Sequence, residues 1–152
     1  MKQLFLATLS LTLMTGFLWT QTACSRDATP AHYKGRQLIM GSGGGVTGFR
    51  TTYYLLENRR LFVQNGRDTI VTFLNRQPGA ITRQLFRMTE DTCAIKTTNF
   101  DHPGNTYKFA QWKKGGESYK VTWGDMGETV PAGYPRLYSS FMAMLSVAKT
   151  QD

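Results

Sequence analysis

Reactive side chains are few in this sequence. There are two cysteines, Cys24 and Cys93, and two histidines, His32 and His102. A nucleophile needs a base within hydrogen-bond reach, and His102 is the one candidate that lies in the body of the chain. A metal centre would need His102, Asp101, Cys93 or Glu90 to converge, and no ligand spacing links them. His102 sits in Asp-His-Pro-Gly-Asn (101–105), which is turn chemistry, so it reads as a turn residue rather than a base. Asp125 and Glu128 fall in a loop and read as solvated. These residues predict a protein without catalytic machinery, metal or cofactor.

The most unusual local feature is Gly41-Ser42-Gly43-Gly44-Gly45-Val46-Thr47-Gly48, with five glycines in eight residues. Gly43 to Gly48 satisfies G-x-G-x-x-G literally. The dinucleotide fingerprint needs a helix after the glycines, because the helix N-terminus holds the pyrophosphate. Here an extended segment follows, so a nucleotide site is not expected. Glycines do allow backbone to pass close to another surface and to take positive φ without steric cost. Two roles stay open. One is a binding edge made of Gly43, Gly44, Gly45, Val46, Thr47 and Gly48. The other is a wide bend packed by the protein's own side chains.

The elements that must carry this loop can be read from periodicity. Gln37–Met40 leads into the glycines, and Phe49–Glu57 resumes with β-branched and aromatic residues. Leu61–Gln64 and Thr69–Leu74 flank Asn65-Gly66, a hairpin signal. Pro78-Gly79 opens a helical spacing of Ile81, Leu85, Phe86 and Met88, predicting a helix over 79–90. Phe100–Asn105 reads as a loop. Thr106–Trp112 and Ser118–Trp123 alternate in period two around Lys113-Lys114-Gly115-Gly116 and predict a hairpin. Leu137, Phe141, Met144, Leu145 and Ala148 predict an amphipathic helix over 136–149. The fold class is α+β, an antiparallel sheet of about five to six strands with two helices packed on one face. If the other face stays uncovered, Trp112 with Lys108 would form an aromatic-basic strip suited to a glycan or peptide. Burial is the ordinary fate of such aromatics.

Residues 1–23 read as an export signal, with Lys2 ahead of the apolar stretch Leu4–Trp19 and small residues before Cys24. Thr22-Ala23-Cys24 is similar to the box that ends bacterial lipoprotein signals, with Gln21 where that box usually has Leu. The similarity implies cleavage before Cys24 and acylation of its thiol, palmitate being a usual chain. If Cys24 is acylated, Cys93 has no partner and reads as a buried apolar residue. If it is not, a Cys24–Cys93 bridge fits an oxidising compartment. Residues 24–35 read as the lipidated cysteine and a tether, and 36–152 as one domain. The chain has 18 Lys plus Arg against 10 Asp plus Glu, net +8, and loss of Lys2 with a cleaved leader leaves +7. Outside the cytoplasm such charge suits anionic lipid, glycan or an acidic protein face rather than nucleic acid. Scattered charges of this kind also serve simple solubility.

Three motifs in order extend the likeness. They are Gly41–Gly48 before an extended strand, Pro103-Gly104-Asn105 before an aromatic strand, and Val121-Thr122-Trp123-Gly124-Asp125 before a Pro-containing loop and terminal helix. Together they resemble a group of small bacterial lipoproteins, over most of the mature domain. That resemblance implies an exported protein of the cell envelope, at the outer membrane or facing the periplasm, and carries no activity with it. Gly44-Gly45-Val46-Thr47-Gly48 is also similar to the Gly-Gly-x-x-Gly element of emfourin-type inhibitors of thermolysin-like metallopeptidases. The expectation is thus a non-enzymatic envelope lipoprotein, membrane-anchored, whose glycine loop binds a protein or polymer partner. The alternative is a peptidase inhibitor that uses the same loop.

Overall fold

Extended segments rich in β-branched and aromatic residues assemble into one sheet in the computed structural model, which describes residues 29–66, 68–124 and 126–148. The leader 1–23, Cys24, tether residues 25–28 and Asp125 lie outside the described residues. In chain order the elements are β1 (Gln37–Gly44), β2 (Phe49–Leu56), β3 (Arg60–Asn65), β4 (Thr72–Arg76), α1 (Gly79–Arg87), a π-helical turn (Met88–Thr92), β5 (Asp101–His102), β6 (Thr106–Lys114), β7 (Glu117–Trp123) and α2 (Tyr134–Ala148). The sheet has seven strands in the order β4-β3-β2-β1-β6-β7-β5. All pairings are antiparallel except β5 with β7.

The α+β class is as expected, but the strand count exceeds five to six. The addition is β5, within the segment that reads as a loop. A two-residue strand has no periodicity to detect, and its pairing depends on β7: the Thr122 N–H donates to the Phe100 carbonyl at 3.1 Å. β4 also starts three residues later than Thr69. Leu61 faces Asn75 but Phe62 faces Phe73, so Leu74 is the extra residue of a bulge. At the other end of the chain order, β1 runs on past Met40 through Gly44.

Parity decides the core. Leu38, Met40, Leu55, Leu61, Ala110, Trp112, Val121 and Trp123 lie on one face and cluster with Leu85, Phe86, Tyr134, Leu137 and Phe141 of the helical layer. Trp112 is only 1% exposed, and Lys108 reaches Tyr138 instead, its Nζ 5.0 Å from the ring centroid. The aromatic-basic strip expected of Trp112 with Lys108 is therefore not formed, because both sit on the covered face.

The predicted helix over 79–90 is α-helical to Arg87 and then widens into the π turn, closed by the Cys93 N–H on the Met88 carbonyl at 2.8 Å. Glu90 in that turn is a junction. Its Oε1 accepts from Trp112 Nε1 at 2.8 Å, and its Oε2 pairs with Arg36 Nη1 at 2.9 Å. Arg36 in turn binds Glu57 through Nη2 at 2.7 Å and holds that carboxyl below its usual range. The guanidinium also stacks 5.1 Å over Phe86. One cation thereby ties the segment before β1 to β2 and to the helical layer.

The last part of the expected tether is docked rather than free. Gln37 Nε2 donates to the carbonyls of Pro30 and Tyr33 at 3.0 and 2.9 Å. The Tyr33 hydroxyl accepts from the Asn58 N–H at 3.2 Å, and Pro30 is buried.

Glu90→Ala would strip Trp112 Nε1 and Arg36 of a charged acceptor in a half-buried site. Loss of about 2 kcal/mol in urea unfolding is expected, with Glu90→Gln intermediate because its amide oxygen can still accept from Trp112.

Candidate functional site

Two glycines of β1 lie on the face that the helices leave open, directly opposite aromatic residues of β6. Gly41 pairs with Phe109 and Gly43 with Tyr107. A Cβ on Gly41 would stand 2.8 Å from the Phe109 ring, and one on Gly43 would stand 2.8 Å from the Tyr107 hydroxyl. Both rings thus lie across β1 where side chains would otherwise be. Gly44 has φ +103°, and a Cβ there would come within 2.2 Å of the Asn105 carbonyl oxygen. These contacts make the first half of the glycine cluster a packing element.

The second half is different. Gly45 donates its N–H to the Asn105 carbonyl at 2.7 Å, and Gly48 closes the turn with its N–H on the Gly45 carbonyl at 3.0 Å. Gly45 takes φ +76° with nothing within 4 Å of its would-be Cβ. Val46, at the apex, is fully exposed, and Phe49 beyond it is 56% exposed. The tip is therefore a short β-turn projecting from a braced base. The packed bend that the sequence left as one reading is formed by the first half of the motif, while the second half is exposed.

The residues tested for catalysis do not meet. His102 Nδ1 lies 3.9 Å from Glu128 Oε1, with both side chains at the surface, and its ring packs 4.6 Å from that of Phe100. Glu90 is occupied by Trp112 and Arg36. Cys93 is a free, buried thiol pushed up to about 11 by burial. Among the described residues no group of three His, Cys, Asp or Glu is placed to hold a metal ion.

Composition alone did not single out the open face as a cationic surface. The Arg50 guanidinium lies 4.6 Å over Phe109, with Lys120 Nζ 5.3 Å from the same ring. Arg60 covers Phe62 at 5.3 Å and Phe73 at 4.9 Å. Long cationic side chains laid over rings keep Phe109 and Phe62 out of solvent without a covering helix. The cue was present in the alternation of the strands, once their pairing is known.

No protein-family model and no curated protein matches the chain.

Two outcomes separate packing from function here. Gly44→Ala should cost more than about 3 kcal/mol in urea unfolding, since backbone must move at both strands. Gly45→Ala, strained in φ alone, should cost about 1–2 kcal/mol. For Cys93, the unfolded chain releases the thiol proton near its ordinary value of 9.0 and the folded chain near 11. Between these values the unfolded state binds fewer protons, so stability falls as pH rises through that window. Thermal melts from neutral to alkaline pH should show that part of the decline vanish in Cys93→Ala.

Proposed function

We propose that this protein is a non-enzymatic lipoprotein of the cell envelope that binds a protein or polymer partner through the tip of the β1–β2 hairpin. The observation that carries the reading is the division of the glycine motif. Gly43 and Gly44 fix the base, while Gly45, Val46, Thr47 and Gly48 present a turn with an unburied apolar side chain at its apex. A loop held in one conformation before contact loses little entropy on binding. This end of the sheet exposes two large apolar side chains, Val46 and Phe49.

Cys24 is the proposed acylation site, and its two chains would give stable anchoring. From Cys24 to Thr29, where the described chain begins, the backbone can span at most about 18 Å. An anchored domain is therefore held close to the bilayer. The same tip supports a second reading, a peptidase inhibitor of the emfourin kind, because a braced turn with an apolar apex has the form of a segment that enters a protease cleft.

Three measurements decide among these. Intact mass of the mature protein extracted from membranes should begin at Cys24 and carry a diacylglyceryl addition; an unmodified Cys24 would remove the anchor. Val46→Asp should abolish co-purification of an envelope partner with the tagged chain while leaving the thermal transition unchanged. Titration against a thermolysin-like peptidase should leave its activity intact, and inhibition at micromolar protein would favour the inhibitor reading instead.

A further inference from the structure

Arg59, Arg60, Arg76 and Arg83 gather where β3 starts, β4 ends and α1 begins, and Arg87 closes α1 one turn further on. Arg60 and Arg76 are direct cross-strand partners, an arrangement that is destabilising for like charges. Arg59 and Arg83 converge on one point, their Nη1 atoms 3.9 and 3.3 Å from where a Cβ on Gly79 would stand. Arg87 follows Arg83 by one helical turn and lines the same shallow cleft, together with Asp91. Among the described residues none of the five joins an ion pair. Of the acids on neighbouring elements, Glu57 is taken by Arg36, and Asp91 alone faces the cleft.

Folding does not require this arrangement. Arg59 takes φ +75°, a conformation that glycine or asparagine adopts at lower cost. A cationic side chain is thus kept at a strained position, beside two others of like charge. Such features are retained where function offsets them. Next to the cluster, the edge strand β4 exposes Phe73 and Leu74 at 46% and 43%. Phe73 lies under the Arg60 guanidinium.

We propose that this corner docks on an anionic phospholipid surface, the arginines meeting lipid phosphates while Phe73 and Leu74 enter the headgroup layer. Arginine forks match phosphate oxygens, and basic charge with flanking apolar side chains is the chemistry of an interfacial contact. The chain's own path selects a membrane over a soluble polyanion. Tyr33 is bonded to Asn58, the residue before Arg59, and Pro30 to Gln37, so the described chain begins at the arginine end of the sheet. In this orientation the argument rests on the anchoring proposed above, whereas the charge and apolar exposure do not. Lipid attachment at Cys24 and docking of this corner would act as two linked contacts with one surface.

The test uses the full chain carrying Cys24→Ala, so that no acyl chain contributes, and vesicles of phosphatidylcholine with and without phosphatidylglycerol. The apolar leader partitions into both, and the readout is the gain in affinity caused by the anionic lipid. Arg60→Gln, Arg76→Gln and Arg83→Gln together should reduce that gain by about 100-fold. Lys108→Gln, Lys120→Gln and Arg136→Gln remove the same charge elsewhere and should reduce it by less than about tenfold. Leu74→Ser should weaken binding at high salt, where the charge term is screened. Equal losses in the two charge variants would overturn the proposal. So would no gain from anionic lipid, or a larger arginine-dependent loss toward heparin or single-stranded DNA than toward vesicles. Because the acyl site is absent throughout, these outcomes are independent of whether Cys24 is lipidated in cells.

Discussion

The close approach of β6 aromatics to the glycines of β1 is the constraint on which the rest of the sheet depends. β1 is the central strand, paired along its whole length with β2 and β6. With no Cβ at Gly41 and Gly43, Phe109 and Tyr107 lie down across it instead of standing up from the sheet. The Phe109 ring then offers a flat bed for Arg50 and Lys120, so a face with no helix over it still excludes water from this aromatic. The opposite face follows the ordinary rule, with apolar residues of both helices packed on alternate strand positions. One strand composition thus produces two differently sealed faces.

Much of this was legible in the chain. The alternation of Thr106–Trp112 and Ser118–Trp123 gave the hairpin and its two faces, and the terminal stripe gave α2 to within two residues at its start. Local signals failed where the determinant is distant. β5 exists through its pairing with β7, and the π turn at Met88–Thr92 places Glu90 against Arg36 and Trp112, residues far away in sequence. Trp112 was assigned a conditional surface role because parity alone does not say which face the helices take. The glycine motif stands out by composition, but which half is packed depends on Asn105 and Phe109, residues distant in sequence that press on it.

The N-terminal segment shows how a polar, Pro-containing run can be ordered without periodicity. Gln37 is buried on β1 and satisfies its amide by donating to two carbonyls of that segment. Unpaired, a buried amide would be costly, so Gln37 requires residues 30–33 to fold back on the sheet. Arg36, pointing to the opposite face, meets Glu57 and Glu90 on the helical side. The path of the chain before β1 is therefore set by the hydrogen-bonding needs of a core position, not by its own hydrophobicity.

That path bears on how the two ends of the sheet differ. At the β2–β3 end, the incoming segment, the strained Arg59 and the unpaired arginines crowd together. At the β1–β2 end, the hairpin tip carries Val46 into solvent with no ionisable residue from Ser42 to Phe49. β1 and β2 run the length of the sheet between these ends, so a surface holding the first directs the second away from it. The glycine tip needs a rigid strand pair beneath it to keep that separation. Gly41 and Gly43 supply it by letting Phe109 and Tyr107 clamp β1 in place. Positioning the exposed half of the motif is thus the work of its buried half.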